Sequence, residues 1–273
     1  MAAMTANPEP GPPPVLIACS HGTDNARGRR AIDAVRAGIM ALRPEVEVRE
    51  AYVDVQEPDL VDVVASLAAG RPAVVVPLLL SVGYHVKVDI ARAAASRPGT
   101  VSALPLGPDP RLARVLQQRL DEAGVDDADA VVLAAAGSSD ACAAEDVAEV
   151  QAVLAALRTG RVGAGFGSKA VPSVPDAVEA QRAGSDRTVA VASYLLAPGY
   201  FHDRLAEAGA DIVSAPLLPS PLIAEIALSR YDDAVERLLA GAPRGSSSSA
   251  ADCDRPCRAQ VSSCVRGGAA RAD

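Results

Sequence analysis

The second half of the chain repeats a pattern of the first half, and this repeat limits the fold more than any other feature of the sequence. The first half carries a β-rich run ending in glycine, an arginine followed twelve residues later by glycine, a Pro-Asp pair and a Pro-x-Pro triplet. The matched segments are Val15–Gly22 and Val131–Gly137, Arg71–Gly83 and Arg187–Gly199, Pro58–Asp59 and Pro175–Asp176, and Pro108–Pro110 and Pro219–Pro221. Such self-similarity indicates internal duplication. The sequence therefore predicts two similar lobes, joined between Gly124 and Ala128.

Each half alternates short β-rich runs with amphipathic helical patterns, which is typical of a parallel sheet with helices on its faces. The strands predicted in the first half are Val15–Ser20, Val46–Val53, Ala73–Leu80 and Val101–Pro105. Helices are predicted over Ala26–Leu42, Leu60–Ala69 and Ile90–Ser96, and from Pro110 onward. The predicted fold is therefore α/β, with two similar lobes that each contain a parallel four-stranded sheet flanked by helices.

The domain limits follow from the repeat and from local composition. We expect a disordered N-terminal segment over residues 1–14, an N-terminal lobe over 15–125, a C-terminal lobe over 126–240 and a disordered tail over 241–273. The tail is rich in Pro, Gly, Ser and Ala and has too few apolar residues to pack. Its Cys253, Cys257 and Cys264 lack the close Cys-x-x-Cys spacing of zinc and iron–sulfur sites, so we favour no metal site there.

Composition argues against several classes of partner. A formal net charge of −8 disfavours nucleic acid, which binds basic surfaces. The longest apolar run, Ala73–Leu80, is far shorter than the roughly 20 residues of a membrane-spanning helix, so we expect a soluble protein without a membrane partner. The N-terminus lacks the features of a signal peptide, and the five cysteines are odd in number, so we expect the reducing cytoplasm.

Two of the three histidines follow predicted strands of the first half. His21 follows the first strand and His85 follows the third, while Asp54 ends the second. Ligands of open parallel sheets bind beyond the carboxyl ends of the strands, where the strand order reverses. If the spatial order is 2-1-3-4, His21 and His85 face each other across that crevice, with Asp54 on the same edge.

The pairing of the two histidines carries the chemical interpretation. Neutral imidazole binds divalent first-row metal ions and also accepts protons. Metal insertion into a tetrapyrrole needs both functions, because the ion loses water ligands while pyrrole N–H protons leave. A single histidine is more often a capping or core residue, whereas a pair at matching strand ends favours a site. We therefore interpret His21 and His85 as catalytic metal ligands, with Asp54 as a further ligand or as a group that orients one ring.

The second half lacks this chemistry at the matching positions. In the repeat alignment, Ala136 takes the place of His21 and Phe201 takes the place of His85. The C-terminal lobe is thus predicted to keep the shape and to have lost the metal site. The third histidine, His202, is interpreted as a structural residue or as one at the rim of the cleft, within reach of a ligand.

Two segments resemble the histidine motifs of a known enzyme family. They are LIACSHGT over Leu16–Thr23 and PLLLSVGYH from Pro77, followed by Asp89 and Ile90. These segments resemble class II tetrapyrrole chelatases, in particular sirohydrochlorin chelatases of the ferrochelatase and cobaltochelatase kinds, and the resemblance covers about Val15–Leu239.

The resemblance implies the long, two-lobed bacterial form of the chelatase fold, with His21 and His85 binding the metal and catalysing its insertion. It also implies a lyase that inserts Fe2+ for siroheme synthesis or Co2+ for cobalamin synthesis. No organic cofactor is implied, because the metal is a substrate. Asp54 stands where the family usually carries glutamate, which departs from the family pattern.

Sirohydrochlorin carries carboxylates around its rim, so its binding needs cationic and N–H donors. The substrate-binding candidates flank the two histidines and are Ser20, Gly22, Arg27, Ser81, Gly83, Tyr84 and Lys87. The glycines permit a flat ligand to approach the backbone, and Tyr84 is suited to pack on the macrocycle or within the protein. Each cation, Arg29 and Arg30 included, is equally well explained as part of a solvated helix face.

Other functions fit these motifs less well. Histidine phosphatases also place His-Gly after a strand, but Ser20 stands here in place of their preceding arginine. The chain has no G-x-S-x-G and no G-x-x-x-x-G-K-[ST] motif, which removes common hydrolases and NTPases. The alternative that remains is a non-catalytic carrier of metal or tetrapyrrole using the same cleft.

The choice between Fe2+ and Co2+ as the physiological metal stays open. We expect a monomer whose two lobes pair like the subunits of a dimer.

Overall fold

The computed structural model describes residues 11–81, 83, 85–183 and 187–240, without the side chains of residues 85–87 and 141. Several expectations therefore fall outside the described residues. They are the disorder of residues 1–10 and 241–273, with the three tail cysteines, the role of Tyr84, and the roles of the His85 and Lys87 side chains.

Strands and helices alternate along the described chain. The strands are β1 (Val15–Ser20), β2 (Val48–Tyr52), β3 (Ala73–Pro77), β4 (Thr100–Ser102), β5 (Ala130–Ala135), β6 (Val162–Phe166), β7 (Val189–Tyr194) and β8 (Ile212–Val213). The α-helices are α1 (Ala26–Leu42), α2 (Leu60–Ala65), α3 (Ala91–Ala95), α4 (Pro110–Glu122), α5 (Ala141–Ala156), α6 (Val174–Arg182), α7 (Tyr200–Leu205) and α8 (Pro221–Leu239). A π-helix over His85–Ile90 leads directly into α3.

The strands form two parallel four-stranded sheets, one in each half of the chain. The order is β2-β1-β3-β4 in the first sheet and β6-β5-β7-β8 in the second. The order 2-1-3-4, which the sequence analysis took as a condition for bringing His21 and His85 together, is the order found, and the predicted α/β fold with two similar lobes is confirmed. Cys19 of β1 lies opposite Pro77 of β3, so the chain leaves both strands at the same edge of the sheet.

The backbone repeats closely between the lobes and corrects one match made from the sequence. The N–H of Tyr52 donates to the Pro58 carbonyl, and the N–H of Phe166 donates to the Pro172 carbonyl, both at 3.0 Å. Both prolines follow a cis peptide bond. Pro58 is therefore matched by Pro172 and not by Pro175, which lies inside the first turn of α6.

One hydrophobic core lies between the two sheets and is shared by both lobes. It contains inward side chains of both sheets, such as Leu16, Val74, Val131 and Ala190, together with one face each of α1, α4, α5 and α8. The outer faces are covered separately, by α2 and α3 on the first sheet and by α6 and α7 on the second. The lobes are therefore joined by a common helical layer.

The last helix of each half packs on the sheet of the other half. Helix α4 contacts β7, while α8 contacts β3 and β4. Helix α1 packs against α8, and α4 packs against α5. The sequence predicted a boundary between the lobes at residues 125 and 126. This boundary stays a prediction, because α4 lies before it in the sequence but packs on the sheet of the second half.

Two arginines at matching positions hold the last helix of each half against the other half. We call Arg119 and Arg230 the arginine pair. Each guanidinium donates to three backbone carbonyls in the loop that leads into the other arginine's helix. The acceptors are Pro216, Leu217 and Pro219 for Arg119, and Pro105, Leu106 and Pro108 for Arg230. Arginine suits this role because its planar guanidinium presents several fixed donors.

The segment that precedes β1 is held against the body of the protein. Arg71 donates to the Pro12 and Pro13 carbonyls, and the Tyr231 hydroxyl donates to the Pro14 carbonyl at 2.6 Å. The buried hydroxyl of Tyr231 gains its acceptor there. The disorder expected for residues 1–14 stays a prediction.

Within the described ranges, the helices are too short or too polar to span a lipid bilayer.

We expect Arg119→Met to lower the free energy of unfolding by about 2–4 kcal/mol, because the carbonyls bound by this side chain lose their donor. Arg114→Met, at an exposed position of the same helix, is the matched control. We expect it to change stability by less than about 0.5 kcal/mol. Chemical denaturation followed by circular dichroism measures both, and equal stabilities would contradict the role given to the arginine pair.

Candidate active site

His21 stands on an exposed loop at the carboxyl end of the central strand β1. The strand is buried along its whole length, whereas His21, its next residue, is exposed. Two hydrogen bonds of 3.1 Å fix the backbone at this point: Val53 N–H donates to the Ser20 carbonyl and Asp54 N–H donates to the His21 carbonyl. His21 is thus presented to solvent from a backbone held by the segment that leaves β2.

Asp54 lies beside His21 on the same sheet edge and is also exposed. Its Oδ1 accepts a hydrogen bond of 2.8 Å from Val55 N–H. The side chain of Gln56 reaches the loop of His21, where its Oε1 accepts a hydrogen bond of 2.8 Å from Thr23 N–H. The structure therefore brings two of the three predicted metal-binding residues, His21 and Asp54, onto one pair of loops.

Gly22 makes this close approach possible. It has a φ of 96°, and a β-carbon on it would overlap the Asp54 carbonyl oxygen. Gly137 repeats the feature in the second lobe, with a φ of 89° and the Ser168 carbonyl oxygen in the matching place. The two lobes share one loop geometry that only glycine fits.

The second lobe presents different side chains on this backbone. Ala136 precedes Gly137 as His21 precedes Gly22, and the Ser168 hydroxyl donates to the Ala136 carbonyl at 3.1 Å. The Phe201 ring reaches Gly167, its Cδ1 lying 3.0 Å from the point where a β-carbon would stand. The second lobe thus repeats the backbone of the first lobe but has no histidine at the positions that match His21 and His85.

His202 lies with its Nε2 3.2 Å from the Ser214 carbonyl oxygen. Ser214 is buried, so this histidine is tied to the body of the second lobe. Of the two interpretations drawn from the sequence, the structural one accounts for this contact.

His85 is the first residue of the π-helix that follows β3. Because β3 is the neighbour of β1, the chain leads to His85 from the edge that carries His21. The side chains of His85 and Lys87, and Tyr84 as a whole, lie outside the described residues. Their predicted roles stay predictions.

The other predicted substrate-binding residues occupy the same edge. Ser20 is 4% exposed, and its hydroxyl has no hydrogen-bond partner among the described residues. Ser81 is half-buried, and Arg27 is exposed in the first turn of α1. Ser20 is therefore a buried polar group in need of a partner, and Arg27 is a cation open to solvent.

Loops of the two lobes meet at this edge in matching pairs. A β-carbon on Gly83, after β3, would lie 3.6 Å from the Ser138 Oγ that follows β5. A β-carbon on Gly199, after β7, would lie 4.0 Å from the Thr23 Oγ1 that follows β1. The loops that follow β1, β3, β5 and β7 therefore come together where the two lobes meet, and we call this place the cleft.

Cys19 precedes Ser20 but faces the outer core of the first lobe with Val15 and Ile17. Burial, with a smaller contribution from the charge of Asp59, raises the pKa of its thiol to about 12. Because the thiol is buried in this outer core, Cys19 does not face the exposed loop of His21.

Among the described side chains, which exclude that of His85, no three His, Cys, Asp or Glu groups come together in a cluster able to hold a metal ion. A cavity of about 290 Å³ lies between α2 and α3 on the outer side of the first sheet. It is lined by Val53, Asp59, Leu60, Val61, Asp89, Arg92, Ala93 and Ser96. None of the predicted site residues lines this cavity, so it is separate from the edge that carries His21.

Comparison with known proteins assigns the family. The CbiX family model matches residues 15–123 and again residues 130–234. The chain belongs to the CbiX family. No curated protein matches the sequence of this CbiX-family chain.

Solved structures of bacterial chelatases share the fold of this CbiX-family chain. SirB from Bacillus subtilis with Fe3+ has a TM-score of 0.72 at 20% identity, covering 84% of this chain and 98% of SirB. The sirohydrochlorin chelatase SirB from Bacillus subtilis subspecies spizizenii in complex with cobalt has a TM-score of 0.69 at 19% identity, covering 82% and 96%. CbiX, the terminal enzyme for biosynthesis of siroheme in denitrifying bacteria, has a TM-score of 0.61 at 22% identity, covering 81% and 99%.

Sequence reasoning missed the arginine pair that holds the lobes of this CbiX-family chain together. A signal was present, because Arg119 and Arg230 stand 111 residues apart, as do Pro108 and Pro219. It also missed that Tyr200 and Phe201 are exposed side by side, since the sequence alignment alone gives no exposure.

Gly22→Ala and Gly137→Ala impose the same strain in the two lobes, and each is expected to lower the free energy of unfolding by about 1–3 kcal/mol. Only Gly22→Ala disturbs His21 and Asp54. We therefore expect it to weaken Co2+ binding at least about tenfold, while Gly137→Ala changes it by less than about twofold. Calorimetric titration measures both affinities, and equal losses in the two variants would contradict a metal site confined to the first lobe.

Proposed function

We propose that this chain is a sirohydrochlorin chelatase, a lyase that inserts a divalent metal ion into sirohydrochlorin with release of two protons. The observation that carries the proposal is His21, exposed beside Asp54 at the cleft edge of β1, in a chain that matches the CbiX family over both lobes. Structures of the same fold with Fe3+ and with cobalt support a metal ion as substrate.

The two histidines carry the chemistry in this proposal. The imidazole nitrogens of His21 and His85 replace some of the water ligands of the incoming ion. As the ion passes to the ring nitrogens, two pyrrole N–H bonds break and the neutral imidazoles accept the protons. One dication enters and two protons leave, so charge is balanced. No organic cofactor takes part.

Asp54 has a supporting role in this scheme. Its backbone N–H holds the His21 carbonyl, and its Oδ1 is already engaged with Val55 N–H. A carboxylate at this point favours a dication by Coulomb attraction. Its side chain is shorter than the usual glutamate, so we propose that Asp54 assists metal capture rather than serving as the principal ligand.

The acidic rim of the substrate needs donors from the cleft. Arg29 is partly engaged, since its Nε donates to the Thr23 carbonyl at 2.8 Å. We therefore assign carboxylate binding to the exposed Arg27 and to Lys87 in preference to Arg29. We include Ser20, whose hydroxyl is buried, with Gly22, Ser81, Gly83 and Tyr84 in the same binding surface.

Nitrogen-rich sites accept both Fe2+ and Co2+, so residue types do not select the metal. Use of Fe2+ assigns the protein to siroheme synthesis, and use of Co2+ assigns it to cobalamin synthesis. We further propose a cytoplasmic monomer. The buried thiol of Cys19, which forms no disulfide, and a core shared by both lobes within one chain support this.

Metal insertion into purified sirohydrochlorin, followed by absorbance with Fe2+ and separately with Co2+, tests the proposal. The intact protein is expected to give many turnovers above the spontaneous rate. His21→Ala and His85→Ala are each expected to lower the rate by at least about 100-fold while sirohydrochlorin remains bound. His202→Ala, in the second lobe, is the matched control and is expected to keep the rate within about twofold, since Nε2 of His202 contacts a backbone carbonyl.

An intact protein that binds sirohydrochlorin without accelerating insertion would contradict the proposal. The non-catalytic carrier would then take its place. Where turnover is seen, the metal with the higher rate identifies the pathway.

A further inference from the structure

Two adjacent aromatic side chains are exposed in a chain that otherwise buries its described aromatics. Tyr52, Phe166, Tyr194 and Tyr231 are between 1% and 8% exposed. Tyr200 is 67% exposed and Phe201 is 37% exposed, and we call these two residues the aromatic lip. Neighbouring exposed rings forgo the stabilisation of burial, which indicates a surface that is covered by a ligand.

The aromatic lip stands at the cleft. It begins α7 directly after Pro198 and Gly199, whose loop contacts the first lobe. The Pro198 carbonyl oxygen lies 2.7 Å from the point where a β-carbon on Gly28 would stand. A β-carbon on Gly199 would lie 4.0 Å from the Oγ1 of Thr23, which follows His21 by two residues. The two residues that directly precede the lip therefore lie next to the first lobe, close in sequence to His21.

The two rings are held in place before any ligand binds. Their centroids are 5.5 Å apart in an edge-to-face arrangement, with the planes at 77°. Arg204 donates to the Tyr200 hydroxyl at 2.9 Å, and its guanidinium carbon lies 5.7 Å from the ring centroid. Phe201 rests against Gly167. Ordered rings lose little freedom on binding, which favours affinity.

The charges around the lip are mixed. Arg204 on α7 and Lys169 on the loop that carries Gly167 are exposed cations, and Asp203 and Glu207 are exposed carboxylates in and just after α7. The positions that correspond to His21 and Asp54 hold Ala136 and Ser168, which do not attract a dication. Apolar rings flanked by cations suit a flat, conjugated ligand with carboxylates on its edge.

We propose that the aromatic lip forms the second wall of the substrate site. Tyr200 and Phe201 pack against the macrocycle across the cleft from the histidines, and Arg204 binds a rim carboxylate. This inference rests on the proposed function and assigns the second lobe to ring binding. The lip acts on binding of the ring, so it sets Kd and KM while the histidines set kcat.

The test is the affinity of the full-length protein for metal-free sirohydrochlorin, measured by fluorescence quenching. Tyr200→Ser with Phe201→Ser is expected to raise Kd and KM by about tenfold or more, with kcat at saturation within about twofold. Tyr200→Phe keeps the ring and is expected to stay within about twofold in Kd. Leu157→Ser, at a similarly exposed apolar residue after α5, is the surface control and is expected to bind like the intact protein.

The outcomes separate this inference from the proposed function. An intact protein that does not bind sirohydrochlorin overturns both. An intact protein that binds and turns over, with a double variant of unchanged Kd and KM, overturns the aromatic lip alone. A double variant with normal Kd and a lowered kcat also overturns it, because that result assigns the lip to the chemical step.

Discussion

The reciprocal hydrogen bonds of Arg119 and Arg230 hold the rest of the structure in register. Each guanidinium satisfies three carbonyls of the loop that begins the other's helix, and both helices pack on the sheet of the opposite lobe. The core between the sheets is therefore completed only when both lobes fold together. A fixed relation between the sheets is also what a cleft at their carboxyl edges requires, since its two walls come from different lobes.

The two lobes share one backbone arrangement but carry different side chains at the matching loop positions. Gly22 and Gly137 hold equivalent loops, but His21 stands beside the first and Ala136 beside the second. On our account the first lobe handles the metal ion and its protons, while the second lobe binds the face of the ring. In this proposal the metal ligands lie in one lobe, so the ion would approach the macrocycle from one side only.

The sequence predicts features with local causes and misses those that depend on packing. Strand β1 and helix α1 have their predicted ends, because a continuous apolar run defines the strand and the Asn25 side chain caps the helix. The sheet order was a condition of the site hypothesis and did not follow from the sequence itself. The match of Pro58 to Pro175 failed, because the equivalent loop positions of the two lobes do not carry the same Pro-Asp pair. The helix exchange was not predictable, because helical periodicity shows that a face is buried but not which sheet buries it.

A crystal structure of the protein with cobalt(II) sirohydrochlorin tests the central claim most directly, because it locates metal and ring together. We predict that the macrocycle lies in the cleft between the lobes, with cobalt on the side of His21 and His85 and the ring in contact with Tyr200 and Phe201. A macrocycle bound outside the cleft, or cobalt bound on the side of the second lobe near His202, would contradict the account.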